Sequence, residues 1–221
     1  MDFNKKKLNE LIPISLLIVM FFLSFYYYGK IPERIPTHWN AEGQIDAYGG
    51  RITLFIIPVI SFLLYLFFLI IPKIEVFRKN VEEFYAKHGV GFKTILLLFF
   101  FGIFFVTLST SLGKPVEMNL FIFPGISILF FYIGMILPNL KRNFFIGIKT
   151  PWTLANDNVW EKTHKVGGKV FQVMAILFLS GVFVHENIFW IIVLPMLLMV
   201  VFLYAYSFWL FKKENGKNEL N

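Results

Sequence analysis

The residues with usable chemistry cluster in two polar stretches. The first runs from Ile31 to Arg51 and contains His38, Trp39, Asn40, Gly43 and Asp46. His38 and Asp46 are both potential metal ligands, but zinc takes three or four protein ligands, and two candidates without a third are weak evidence for a metal site. The same pair can instead lock a loop by hydrogen bonding, with Trp39 anchored at a lipid interface. Pro32 and Pro36 force extended chain ahead of the His-Trp pair, and Asn40 to Gly43 reads as a tight turn. Asp46 then stands where it can receive backbone amides or pair with Arg51, so a small compact motif is expected, and a loop this long and punctuated is usually functional.

The second stretch runs from Asn143 to Gly168 and contains Lys149, Thr150, Pro151, Trp152, Trp160 and His164. Thr150 before Pro151 reads as a helix start. Asn156 to Asn158 offers another, with Glu161 three residues after Asn158 in a capping-box arrangement. Trp160, His164 and Gly167 then share one face of the second helix. Two readings stay open. The helix lies on the membrane surface with Lys162, Lys165 and Lys169 toward phosphates, or its aromatic, His and Lys face docks a cytosolic protein.

Catalytic chemistry is not expected. The chain has no cysteine, so thiol nucleophiles, thiolate metal sites and disulfides are excluded. Paired acids, a His cluster and an activated Ser are not grouped anywhere, so no enzyme activity, metal or cofactor is predicted.

The elements that must position the two stretches are membrane helices. Of 221 residues, 57% are hydrophobic and 29 are Phe, beyond what a soluble core of this size needs. Runs without Asp, Glu, Lys or Arg are Leu11 to Tyr28, Ile52 to Ile71, Thr94 to Gly113, Met118 to Leu140, Val170 to Val184 and Asn187 to Phe211. The fifth is short for a hydrocarbon core of about 30 Å and is expected to borrow Gly167 to Lys169. The net charge of +7 is a topology signal and does not point to direct nucleic-acid binding. Seventeen of the 21 Lys and Arg fall in the two tails and two alternate loops, leaving Lys30, Arg34, Arg51 and Lys114 on the other side. By the positive-inside rule both termini are cytoplasmic, with membrane lipids as a secondary electrostatic partner. Residues 1–28 are read as a retained span, because no small-residue cleavage site follows the run. The expected fold is therefore an all-α polytopic helical bundle with six transmembrane helices.

Leu54 to Ser61 matches Leu120 to Ser127 at six of eight positions, offset by 66 residues, and the same offset carries Pro72 onto Pro138. This reads as a duplicated hairpin. Pro58, Pro124 and Pro195 are expected to kink three helices near their outer ends, by simple packing irregularity or around an outward cavity. Runs free of charge argue against ion-coupled transport.

At the two polar stretches the chain resembles a known family. Gly147-Ile-Lys-Thr-Pro-Trp-Thr-Leu154, with Val159-Trp160, Thr163-His164-Lys165 and Gly167-Gly168, is similar to the signature of the SdpI family of bacterial immunity proteins. The segment from Ile35 to Asp46 resembles the amino-terminal domain of unassigned function that commonly accompanies it. Lys149 and Lys165 stand where arginine is expected, and Ala155 where serine is usual. The resemblance implies a two-helix amino-terminal region over 1–75 and a four-helix region over 76–221. It implies a bacterial plasma-membrane protein giving immunity to a secreted toxin or antimicrobial peptide. A cytosolic winged-helix repressor held at the membrane is a further implied partner. The outer loop (His38, Trp39, Asn40, Gly43, Asp46) would sense the toxin. The inner loop (Lys149, Thr150, Pro151, Trp152, Trp160, His164) would contact the partner. The alternative is a small permease or envelope-stress protein for a hydrophobic solute at the proline kinks.

Overall fold

The computed structural model describes the backbone of residues 3–183 and 187–218 and the side chains of 10–183 and 187–215. Lys5, Lys6, Lys7, Val184 and Lys217, used above for topology, fall outside those side chains. Helix α1 (Phe3–Tyr27) leads into strands β1 (Arg34–Trp39) and β2 (Ile45–Gly50), then a 3-10 turn (Arg51–Phe55) and α2 (Ile56–Ile74). Next come a short α3 (Arg78–Phe84), a π turn (Tyr85–Gly89) and α4 (Val90–Ser111). Helix α5 (Asn119–Ile136), α6 (Pro151–Ala155), α7 (Asp157–Ser180) and α8 (Leu194–Asn218) complete the chain.

Among the described residues, five helical stretches are long and apolar enough to cross a membrane: Glu10–Tyr27, Arg51–Ile74, Arg78–Ser111, Asn119–Asn139 and Phe189–Asn215. The protein is a polytopic helical membrane protein. The fifth charge-free run lies instead on α7, whose first half is polar. Helix α7 has 24 residues, about 36 Å at about 1.5 Å per residue. It runs unbroken from the polar loop into the apolar run, so the expected borrowing of three residues understates its reach and no separate surface helix forms.

The helices pack in two groups. Leu17 and Met20 of α1, Tyr65 of α2 and Leu97, Phe104 and Leu108 of α4 form one core, closed at one end by Ile31, Ile35 and Leu54. Phe123 of α5, Met174 and Phe178 of α7 and Met199 and Leu203 of α8 form another. Helices α5 and α7 approach most closely, since a Cβ built on Gly134 would stand 2.7 Å from the Gly168 carbonyl oxygen and the reverse is equally true. Small residues let helix backbones meet in lipid, where packing and polar contacts replace a hydrophobic drive. Ser127 Oγ adds a 2.7 Å bond to the Ala175 carbonyl across the same pair.

Three local expectations change. The all-helical reading left the first polar stretch as a loop, but it forms an antiparallel hairpin with bulges on either side of His38. A lone two-stranded hairpin is marginal in water, and this one is held by burial of Ile35 and Pro36 against the bundle. The proline kinks are also redistributed. Pro58 sits in the first turn of α2 and Pro195 is second in α8, where a missing N–H breaks nothing. The strain is taken up beforehand by the 3-10 turn and by a π turn over Phe189–Val193. Only Pro124 stands inside its helix as expected. Finally, Glu10 and Lys93, which border the charge-free runs, lie within α1 and α4. Lys93 is buried, and its ammonium is 2.5 Å from Glu10 Oε1.

The α5–α7 contact gives a direct test. Gly134→Ala or Gly168→Ala pushes a methyl into backbone that cannot yield and should cost about 1–3 kcal/mol, the usual price of overpacking. Gly102→Ala, whose nearest neighbour is Phe121 at 3.7 Å, should be near neutral. Thermal unfolding of the purified protein in detergent measures the difference.

Candidate functional site

Two polar assemblies mark opposite ends of the bundle. At the hairpin end, Gly43 closes a turn on the Asn40 carbonyl at 2.9 Å with φ of 79°, a conformation that favours glycine. Asn40 Oδ1 accepts the Gln44 N–H at 2.8 Å, so its side chain is spent holding the turn. A Cβ on Gly43 would press on Asn119 of α5, whose amide reaches the Ala41 carbonyl at 3.4 Å. His38 Nδ1 and Asp46 Oδ1 are 2.5 Å apart across the strands, with side chains 66% and 44% exposed. Asp46 pairs with His38 and not with Arg51. Trp39 is half-buried. No group of three or more His, Asp or Glu able to hold a metal occurs among the described residues. The hairpin is thus a rigid, exposed platform displaying an imidazole, a carboxylate and indole.

At the other end the chain from Leu140 to Thr150 is irregular, and its polar groups are satisfied one by one. Asn143, 2% exposed, accepts the Phe145 and Ile146 N–H groups at 2.9 and 2.7 Å and donates to the Lys141 and Ile146 carbonyls at 3.0 Å. Glu75 at the end of α2 is buried and accepts from Phe77 N–H at 3.0 Å and from Phe144 N–H at 3.1 Å. Lys149 Nζ donates to the Phe144 and Phe145 carbonyls, both at 3.1 Å. Arg142 Nη1 donates to the Leu154 carbonyl at 2.9 Å, and its Nε lies 3.0 Å from Asp157.

Trp160 and His164 anchor this loop from α7. Their rings stack at 4.0 Å between centroids, and both are buried. Trp160 Nε1–H donates to the Leu140 carbonyl at 2.7 Å. His164 Nε2 accepts the Ile148 N–H at 2.9 Å, so Nδ1 carries the proton and donates to the Trp160 carbonyl at 2.8 Å. Gly147, at φ of 118°, leaves room for them; a Cβ there would overlap the His164 ring. The expected exposed Trp-His docking face is therefore corrected. It is turned inward because its donors and acceptors satisfy backbone groups on the inner side of an irregular loop.

Thr150, Pro151, Trp152 and Thr153 form a clip onto α8. Thr150 caps α6 through a reciprocal box with Thr153, as the Thr-Pro pair predicts, and its hydroxyl meets Ser207 Oγ at 3.0 Å. Thr150 is buried, Pro151 and Lys149 are exposed, and Trp152 lies half-buried against Tyr204 and Phe208. Asn156, not Asn158, caps α7, accepting from Asn158 and Val159 N–H groups at 2.8 and 3.1 Å. Glu161 turns to Lys165 at 2.6 Å. Sequence reading missed Glu75, Asn143 and Gly147. An Asn followed by a glycine four residues on was a local signal for Asn143 and Gly147, whereas Glu75 carried none.

Between α4 and α5, an apolar groove of about 260 Å³ runs beside Phe99, Gly102, Pro124 and Gly125. It is the nearest counterpart to the cavity expected at the proline positions.

Burial lowers the His164 pKa to about 4, with the Trp160 carbonyl opposing. The unfolded chain therefore takes up this proton near pH 6.5 while the folded chain does not until about pH 4. Stability is unaffected by this group above pH 6.5 and falls as pH drops from 6.5 toward 4, by roughly 3 kcal/mol at most. Urea titrations in detergent at pH 7.5 and 4.5 should show the slope, and His164→Gln should remove it while lowering stability at pH 7.5.

Comparisons with known proteins bear on both ends. The SdpI/YfhL protein family matches residues 139–207, from the irregular loop through most of α8. The Domain of unknown function (DUF1648) matches residues 15–62, from α1 across the hairpin into α2. A Bacillus subtilis (strain 168) protein named Immunity protein SdpI is 29% identical over 209 residues, covering 94% of this chain and 98% of that protein. No solved structure matches. This multi-pass membrane protein therefore carries a segment similar to the SdpI/YfhL family at residues 139–207 and one similar to DUF1648 at residues 15–62, with similarity to Immunity protein SdpI running through nearly the whole chain.

Proposed function

We propose that this chain is a membrane immunity protein that protects the cell producing it against a secreted toxin or antimicrobial peptide. The observation that carries this reading is the similarity to Immunity protein SdpI over 94% of the chain. The hairpin supports a sensing role at the outer face. Its backbone is fixed by Asn40, Gly43 and the seated Ile35, while His38, Asp46 and Tyr48 stay exposed. A preorganised, exposed surface loses little conformational entropy on contact with a partner. The topology belonging to this proposal puts the hairpin outside and both termini in the cytoplasm, as the charge distribution favours.

The finer part of the proposal is a cytosolic winged-helix repressor held at the basic end. The burial of Trp160 and His164 moves the contact surface to residues that remain accessible. Lys149, Pro151, Asn158 and Lys162 are exposed there, and Trp152 offers a partial edge. In this arrangement Trp160, His164 and Thr150 position the surface and do not touch the partner.

Both parts can be tested in cells that meet the cognate toxin. An exposed ion pair is worth only about 0–1 kcal/mol, so His38→Ala and Asp46→Asn should leave the protein at its normal level in the membrane. With Trp39→Ala, they should lower the tolerated toxin dose by about tenfold each if these side chains contribute to contact. Full protection in all three variants overturns the sensing role. For the second part, Lys149→Glu with Lys162→Glu should abolish membrane recruitment of the repressor, followed by fractionation with toxin present, and leave survival unchanged. Unchanged recruitment removes the signalling role, and joint loss of survival and recruitment assigns this end to protection.

A further inference from the structure

A large recess outside both polar assemblies lies between α1, α2 and the run from α3 into α4. It has a volume of about 1080 Å³. Ile12, Phe68, Leu69 and Ile95 make its apolar wall, on helices that cross the membrane. Its other end is charged, and most of that charge is already neutralised. Glu10 is paired with Lys93 at 2.5 Å, Glu82 with Arg78 at 2.7 Å and Glu83 with Lys141 at 2.6 Å. Lys87, exposed at the rim, has no acidic partner among the described residues. The net offer to a ligand is therefore positive.

Unspent hydrogen-bond donors point the same way. Lys93 is 4% exposed and its ammonium carries three N–H groups, yet among the described residues it donates only to Glu10 Oε1. The Tyr65 ring, 5.2 Å from Nζ, supplies a π face and no acceptor for those protons. A buried ammonium with donors to spare is costly unless an acceptor reaches it. Tyr85 also lines the recess, and its buried hydroxyl has no hydrogen-bond partner among the described residues. Both Tyr85 and Lys87 stand on the π turn Tyr85–Gly89, a distortion that recurs at functional sites.

A ligand that suits this recess has an anionic, oxygen-rich head and an apolar tail parallel to the helices. We propose that the recess binds one anionic phospholipid. Its phosphate oxygens accept from Lys93 and Lys87, and an acyl chain lies along Ile12, Phe68, Leu69 and Ile95. A zwitterionic head group is disfavoured, because every carboxylate at the rim is already paired and none is left for an ammonium. The site is independent of the immunity reading, since its lining lies on α1, α2 and the run from α3 into α4, away from the hairpin, and meets the loop at 140–150 at the Glu83–Lys141 pair.

Native mass spectrometry of the full chain in detergent, with equal amounts of phosphatidylglycerol and phosphatidylcholine, tests it. One phosphatidylglycerol should remain bound under conditions that strip phosphatidylcholine. Lys87→Ala, an exposed change, should weaken retention by about tenfold, as loss of a charge-assisted bond implies. Ala86→Trp should fill the recess and abolish retention. Lys162→Ala, on a different basic surface, should change nothing, and millimolar inorganic phosphate should not displace the lipid. Equal retention of both lipids, unchanged binding in Lys87→Ala, or an equal loss in Lys162→Ala overturns the proposal in favour of diffuse attraction. Displacement by inorganic phosphate overturns it in favour of a simple anion site. A melting temperature for Lys87→Ala equal to that of the parent protein separates lost binding from lost folding.

Discussion

Where a chain leaves its helices beside a membrane, each backbone N–H and C=O must find a partner inside the protein or at its edge. The irregular run from Leu140 to Thr150 meets that demand with side chains. Asn143 serves four backbone groups, Glu75 two, Lys149 two carbonyls, and His164 the Ile148 amide. Most other contacts at this end follow. His164 can accept from Ile148 only while its other nitrogen is held by the Trp160 carbonyl, and Trp160 can stack on it only because Gly147 has no side chain. With the rings seated, α7 starts where Asn156 caps it and Thr150 reaches Ser207 on α8.

This joint ties α2, α5, α7 and α8 together through polar bonds, whereas the hairpin at the other end is tied mainly by apolar burial of Ile35 and its neighbours. The two ends therefore differ in what they leave free. The hairpin spends its backbone and Asn40 on itself and presents His38, Asp46 and Tyr48 outward. The joint spends Trp160, His164 and Thr150 inward and presents Lys149, Pro151 and Lys162. The same residue types carry opposite roles at the two ends. His38 is available for contact, while His164 is a buried acceptor whose protonation would break the loop's support.

The pair Glu10–Lys93 shows a second limit on residue type. Runs without charge locate the apolar spans well, but α1 and α4 extend past those runs and carry an acid and a base into the packed region. Once there, the ammonium is stabilised by the carboxylate while keeping donors unspent. The argument against charge within the bundle holds for the central turns of the helices and fails at their ends.

The sequence by itself determined the membrane class, the approximate position of the apolar runs, the turn at Asn40 to Gly43 and the helix start at Thr150. Each depends on neighbours a few residues apart. Hydrophobic length, a proline after a threonine and a glycine at a positive φ are local properties, and lipid enforces them strictly. Tertiary structure decided the hairpin, the unbroken α7 and the inward turn of Trp160 and His164. It also decided the roles of Glu75 and Lys93. Those features rest on partners distant in the chain: Ile148 with His164 at 16 residues, Leu140 with Trp160 at 20, Glu75 with Phe144 at 69 and Glu10 with Lys93 at 83. No periodicity or motif encodes such a distance, because the partner is chosen by which buried polar group would otherwise go unsatisfied once the helices have packed.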